Sequence, residues 1–184
     1  MGKTQELGLA VAVVCAALLS SCASRPVPDW RETAALREQI LRLDGAVDPD
    51  EASRLAEAAL EKSAALAREY RAIWPPWLHN NLVNCKLRDR GLCYHWANDL
   101  FAGLQALHLR SLELHLAVAR IDTPREHNAV LITAHRQPFD QGVVLDAWRH
   151  SGRLWWGFAA TDKYPWQPLP RDRVAPELER FFTP

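Results

Sequence analysis

Gly91-Leu92-Cys93-Tyr94-His95-Trp96-Ala97-Asn98-Asp99-Leu100 is the most informative segment of the sequence, and it directly follows a polar, basic run. Helix-forming residues continue from Cys93, and the apolar positions that recur at helical spacing are Ala97, Leu100, Phe101, Leu104 and Leu107. We therefore expect Cys93 in the first turn of a helix, where unpaired backbone N–H groups and the helix dipole favour thiolate over thiol. The alternative is a buried, unreactive cysteine, because most free cysteines pack as small apolar side chains.

Four strands are predicted after this helix, because the apolar period changes from helical to alternating. They cover residues 111–121, 127–134, 142–148 and 153–158. Short turns join them, so we expect an antiparallel meander. From residue 162 onward the chain is rich in proline, which predicts an irregular tail with a terminal helix at 175–182.

Two helices are predicted before the cysteine, at residues 29–43 and from residue 48 to 70 or 73. Asp29 and Asp48 stand where helix caps are preferred. Helices followed by a sheet are typical of an α+β fold, and we expect a single domain at residues 29–184.

The segment between the second helix and the cysteine helix contains two adjacent prolines, in Trp74-Pro75-Pro76-Trp77. Neither proline can continue a helix, so the second helix is predicted to end there. Residues 78–90 are polar and predict a loop or a short irregular helix. Their tryptophan and asparagine side chains either line a cleft before the cysteine or anchor a structural loop, and both interpretations stay open.

The candidate catalytic residues are Cys93, His127 and Asp146. The first begins a helix, the second begins a strand, and the third lies near the end of the next strand. When two neighbouring strands are antiparallel, the start of one lies beside the end of the other, so we expect His127 and Asp146 within hydrogen-bonding distance. If the cysteine helix packs against that corner, the three residues supply a nucleophile, a base and a group that orients the base.

Three motifs surround these residues, namely Gly91-Leu92-Cys93-Tyr94, Glu126-His127-Asn128-Ala129-Val130 and Val144-Leu145-Asp146. In their order and their separations of 34 and 19 residues, they resemble the transglutaminase-like branch of the papain-like superfamily, in particular the bacterial transglutaminase-like cysteine proteases. The similarity covers a catalytic core at residues 78–158 and leaves a helical scaffold at residues 29–73 outside it.

The resemblance implies acyl transfer, with Cys93 as nucleophile, His127 as base and Asp146 as the orienting acid. A thioester forms on the cysteine, and water or an amine resolves it. The family's oxyanion donor has no clear counterpart, and the candidates are the Cys93 N–H, Trp77, Asn81 and Asn84. No cofactor is expected.

Composition argues against a nucleic-acid partner, because 22 basic and 22 acidic residues balance and no basic run is interleaved with aromatic residues. The chain holds eight tryptophans, for which core packing is the preferred interpretation over a groove for peptides or sugars. No HExxH or CxxC motif indicates a metal, and a zinc site at Cys85, Cys93 and His95 is the weakest of the alternatives.

The first residues are interpreted as a targeting signal. Residues 7–19 form an apolar run of thirteen residues, which is too short to span a bilayer. The run ends in Leu19-Ser20-Ser21-Cys22, which resembles a bacterial lipobox and implies cleavage after residue 21, lipidation of Cys22 and a tether at residues 22–28. The alternative is an ordinary secretory signal. By resemblance to the usual sorting rule of bacterial lipoproteins, the lack of an aspartate after the cysteine implies the periplasmic face of the outer membrane.

Two cysteines, Cys85 and Cys93, remain after the signal, in a compartment that permits disulfides. If they pair, the protein is an inactive lipoprotein scaffold or binding module; if Cys93 is free, it is a hydrolase or acyltransferase acting on peptide or amide bonds. A reversible bridge would make a redox-gated enzyme. The expected partners are a membrane, reached through the lipid anchor, and a protein or peptide substrate, with peptidoglycan peptides suggested by location.

Overall fold

A computed structural model describes residues 29–182 of the protein. The predicted signal peptide, Cys22 and the tether lie outside these residues. Within them, helices and an antiparallel sheet form the α+β fold expected from the sequence. None of the helices in this range combines the length and apolar character needed to cross a bilayer.

The helices of the described residues come first in the chain and are α1 (Trp30–Leu41), α2 (Pro49–Glu69), α3 (Pro76–Asn84) and α4 (Cys93–Gln105). Both predicted caps are confirmed, because the Asp29 and Asp48 side chains accept hydrogen bonds from backbone N–H groups of the first turns of α1 and α2. Helix α2 ends slightly before its predicted limit, where Arg71 adopts a left-handed backbone with φ of 49°.

Helix α3 is the main departure from the predicted helices, since residues 78–90 were expected to be a loop or a short irregular helix. Pro75 and Pro76 stand at its N-cap and first helical position. Proline is favoured there, because the N–H group that it lacks would have had no intrahelical partner. The same prolines that bar the continuation of α2 therefore begin a new helix.

The sheet has the strand order β4-β3-β2-β1-β5 and is antiparallel throughout. Its strands are β1 (Leu112–Ala119), β2 (His127–Ala134), β3 (Val143–Asp146), β4 (Trp155–Phe158) and β5 (Trp166–Pro168). The predicted four-strand meander is confirmed. Strand β5 lies in the tail that was expected to be irregular, and it pairs with β1. The expected terminal helix is a 3₁₀ helix at Pro176–Phe181.

The core lies between α4 and one face of the sheet, with α2 on the outer side of α4. The predicted apolar stripe of α4 is buried up to Leu104, and Leu107 is partly buried at its end. All eight residues of the central strand β2 are buried. Val130 and Ile132 face α4, whereas Ala129 and Leu131 belong to a second cluster on the opposite face of the sheet.

Candidate active site

Cys93 is the first residue of α4, as the sequence predicts. The turn before it is held by His95, whose Nδ1 accepts hydrogen bonds from the N–H groups of Gly91 and Leu92 at 3.1 and 3.3 Å. Burial, together with the nearby Arg90 guanidinium, lowers the pKa of His95, which suits this acceptor role. His95 therefore fixes the backbone of this turn as a structural residue, and the imidazole paired with Asp146 is that of His127.

Gly91 is required by the geometry of the same turn. Its φ is 127°, and a Cβ at this position would overlap the ring of His79. His79 reaches over from α3, with its Nε2 3.0 Å from the Arg90 carbonyl, and Trp96 Nε1 donates to the Gly91 carbonyl at 2.9 Å. The backbone leading into Cys93 is therefore clamped by side chains from two helices.

His127 and Asp146 form a buried hydrogen-bonded pair, with 2.7 Å between Nε2 and Oδ2. Val130 pairs with Leu145, so Asp146 lies level with Ala129 and the two side chains meet diagonally on one face of the sheet. His127 is 3% exposed and Asp146 is 1% exposed. The prediction that these strand ends bring the two groups within hydrogen-bonding distance is confirmed.

The Cys93 sulfur lies at the end of the sheet, close to the start of β2. It is 3.9 Å from the Glu126 carbonyl oxygen, and Asn128 Nδ2 donates to it at 3.8 Å. The Cys93 side chain is also near enough to the His127 ring to help raise the pKa of that imidazole. Because Nε2 of that ring is engaged by Asp146, Nδ1 is the nitrogen available to the sulfur.

An aromatic enclosure, defined as Trp148, Tyr164 and Trp166, surrounds the ring of His127 with centroid distances of 4.8, 4.8 and 5.5 Å. Two of the three residues come from the chain after β4. Trp148 is itself held by α3, because its Nε1 donates to the Asn80 side-chain oxygen at 3.0 Å. The enclosure keeps water from the base and strengthens its interaction with Asp146.

The charges of the site are set by the buried pair. Burial alone would lower the pKa of His127, but the Asp146 carboxylate, with a further contribution from Cys93, raises it to about 9. Burial would raise the pKa of Asp146, but His127 and Arg149 lower it. At neutral pH the site therefore holds an imidazolium beside the cysteine and a carboxylate behind it.

The side chains proposed from the sequence as oxyanion partners lie on α3, and all three are exposed: Trp77, Asn81 and Asn84. In residues 29–182 no hydrogen bond joins any of them to Cys93. Asn128 is the amide that reaches the sulfur, and sequence reasoning missed it. Strand alternation contained a usable signal, since Asn128 shares its face of β2 with Val130 and Ile132, which pack against α4.

Cys85 and Cys93 are both free thiols, the first exposed at the end of α3 and the second half-buried. Across the described part of the chain, no group of three or more His, Cys, Asp or Glu side chains is arranged to hold a metal ion.

No family model, curated protein or solved structure matches this chain. The site's own geometry must therefore indicate the function. A groove of about 440 Å³ is lined by Glu126 and Asn128, the two residues that contact the sulfur, although Cys93 itself does not line it. Its lining joins α4, the start of β2 and the tail through Tyr94, Asn98, Glu126, Asn128, Arg173 and Glu177. Both signs of charge are present, which suits a polar chain with little net charge.

The free energy of unfolding is expected to decrease as the pH rises from about 6.5 to about 9. The pKa of His127 is 6.5 ordinarily and about 9 in the folded protein, so its contribution is complete below the first value and is lost as the pH passes the second. A shift of this size corresponds to about 3 kcal/mol. The contribution of Asp146 has the opposite sense: its pKa is lowered, so it is present above 3.8 and lost on acidification.

Urea unfolding of the wild type and of His127→Gln, followed by circular dichroism across this pH range, measures the effect. The glutamine variant should be less stable at low pH and should lose most of the decrease between pH 6.5 and 9. An equal decrease in both proteins would show that other groups cause it.

Proposed function

We propose that the protein is a thiol hydrolase or acyltransferase that acts on peptide or amide bonds. Cys93 is the nucleophile, His127 the base and Asp146 the group that orients the base. The observation that carries the proposal is the buried hydrogen bond between His127 and Asp146, 2.7 Å long, whose imidazole has its other nitrogen available to a free cysteine at a helix start.

The reaction starts from the thiolate–imidazolium pair, in which the thiol proton of Cys93 already lies on the imidazole of His127. The thiolate attacks the carbonyl carbon, and the C=O electron pair moves onto the oxygen. Collapse of this tetrahedral intermediate breaks the C–N bond, and His127 gives its proton to the departing amine. The remaining thioester is attacked by water or a second amine, whose proton His127 accepts as the thiolate leaves.

The oxyanion needs hydrogen-bond donors that are already in place before the carbonyl arrives. The Cys93 N–H is one donor, since it begins α4 and has no earlier turn to bind. The Asn128 amide is the second, because its Nδ2 lies 3.8 Å from the sulfur. The Glu126 carboxylate holds this amide from behind, at 3.5 Å.

The expected setting of this activity is the cell envelope. The lipobox-like segment ending at Cys22 supports attachment to a membrane through lipid, on the periplasmic side of the outer membrane. The substrate class that suits both the location and the mixed-charge groove is a protein or peptide chain, with the stem peptides of peptidoglycan among the candidates.

Acylation by p-nitrophenyl acetate tests the proposal without knowledge of the substrate. We expect the purified full chain to release a stoichiometric burst of p-nitrophenol and to carry acetate on Cys93, located by peptide mass spectrometry. Cys93→Ser should lose the burst, whereas Cys85→Ser, which removes the other free thiol, should keep it.

Two outcomes would contradict the proposal. Acetate distributed equally over Cys85 and Cys93 would describe two ordinary thiols. A quantitative bridge between them in protein recovered from the periplasm, with no acylation, would support the scaffold instead. If reduction then restored the burst, the redox-gated form of the enzyme would be the correct one.

A further inference from the structure

We infer that Arg149 is a positioning residue of this site: it holds Asp146 as an oriented carboxylate and thereby keeps His127 charged beside Cys93. The inference rests on the proposed function, because it assigns a role within the same acid–base pair. Arg149 contacts neither the sulfur nor the groove, so any effect on Cys93 has to pass through Asp146 and His127.

Arg149 binds both oxygens of Asp146. Its backbone N–H donates to Oδ1 at 3.0 Å, and its Nε donates to Oδ2 at 2.9 Å. The same Oδ2 accepts from His127 Nε2 at 2.7 Å. The carboxylate therefore cannot rotate away from the imidazole without breaking its bonds to Arg149.

The terminal nitrogens of the Arg149 guanidinium are also held by hydrogen bonds. Its two terminal nitrogens donate to the two oxygens of Asp162 at 3.1 and 2.7 Å, and Asp162 also accepts from Trp166 Nε1 at 2.8 Å. The plane of the guanidinium lies over the Trp155 ring, with 3.5 Å from Cζ to the centroid. The planar guanidinium of arginine can bind two carboxylates and stack on an indole ring at the same time. The ammonium group of lysine lacks this geometry.

The side chain of Asp146 is completely buried, and those of Asp162 and Arg149 are 3% and 10% exposed. A carboxylate in such a place remains ionised only if cations and donors replace the lost water. The titratable and charged groups that interact with Asp146 are His127 from β2, Arg149 and His150 from the turn after β3, and Tyr164 from the tail, while Asp162 shares the Arg149 guanidinium with it. Arg149 is the permanent cation among them.

Removal of Arg149 would leave Asp146 and Asp162 as two buried carboxylates without the cation that they share. Protonation of one carboxyl costs the least free energy in that situation. It would weaken the attraction between Asp146 and the imidazolium and lower the pKa of His127 from about 9. Cys93 would then lose the neighbouring cation that favours its reaction with electrophiles near neutral pH. A merely structural ion pair would instead change stability and leave the charge state of Cys93 unaltered.

The test is the pH profile of iodoacetamide alkylation of Cys93, measured on the full chain from about pH 5 to about pH 9. In Arg149→Met, the rise of the alkylation rate with pH should occur about one pH unit higher than in the wild type. At pH 6.5 this shift corresponds to a rate about tenfold slower. Arg149→Lys, which keeps the charge but not the fork, should shift it by less. Arg153→Met is the matched control, because Arg153 lies in the same turn, pairs with Glu32 at the surface and should leave the profile unchanged.

An unshifted or faster profile in folded Arg149→Met would overturn the inference, whatever happens to its melting temperature. If Arg149→Met does not fold, Arg149→Lys decides by the same criterion. Asp146→Asn separates this failure from a failure of the proposed function. If Asp146→Asn shifts the profile and the Arg149 variants do not, Arg149 is only structural; if Asp146→Asn has no effect either, the triad itself is wrong.

Discussion

His127→Ala is expected to slow the alkylation of Cys93 by iodoacetamide at pH 6.5 by about 100-fold. At that pH the imidazole is cationic, because Asp146 raises the pKa of His127 to about 9 against the effect of burial. A cation beside the sulfur favours the thiolate. Without it, an ordinary cysteine is only about 1% ionised two pH units below its usual pKa. Stopped-flow alkylation with peptide mapping gives the rate at Cys93 alone.

The matched control is His135→Ala, because His135 lies on the surface with 54% of its side chain exposed and pairs with Glu113. It should alkylate at the wild-type rate. The alkylation rate of His127→Ala should recover as the pH approaches about 8.5, where an ordinary thiol ionises. A wild-type profile that already follows an ordinary thiol would remove the basis for a catalytic pair.

Gly91→Ala is expected to destabilise the protein by about 3 kcal/mol and to reduce alkylation of Cys93 at neutral pH. The backbone at Gly91 has φ of 127°, and an added Cβ would enter the ring of His79. This overlap can be removed only if α3 or the turn before α4 moves. Either movement disturbs the N–H groups bound by His95 and the carbonyl bound by Trp96. Urea unfolding and the alkylation rate measure the two consequences.

Gly45→Ala provides the comparison, since a Cβ at Gly45 meets nothing within 4 Å and its φ lies outside the left-handed range. We expect a change well under 1 kcal/mol there. The double variant Gly91→Ala, His79→Ala should be less destabilised than the sum of its single variants, because the overlap has been removed. Additivity in that cycle would mean that the cost at Gly91 comes from backbone strain alone.

The start of α4 and the meeting of His127 with Asp146 could be predicted from the sequence, because each depends on local pattern and one rule of strand geometry. A glycine followed by a helical apolar stripe places Cys93, and antiparallel pairing of neighbouring strands places the other two. The α+β class follows from the same change of period. None of these steps requires knowledge of distant contacts.

Strand β5 and the surroundings of the pair could not be predicted in this way. Residues 166–168 are too few to show a period, and they are a strand only because β1 accepts them. Arg149 and Tyr164 reach the site from loops and Trp166 from β5, and the paths of these segments depend on the assembled fold. Asn128 differs from these residues, because strand alternation places it on the face of β2 that packs against α4, opposite to His127.

The aromatic enclosure also has a consequence for the order of events during synthesis. Once residue 146 has left the ribosome, Cys93, His127 and Asp146 are all present. Tyr164, Trp166 and Asp162, which surround them in the finished fold, are still to be synthesised. A nascent chain, or one clipped after β4, thus possesses the reactive groups without the dry, charged surroundings that tune them. Under the proposed function, we therefore expect Cys93 to gain its full reactivity only when the last segment has been added.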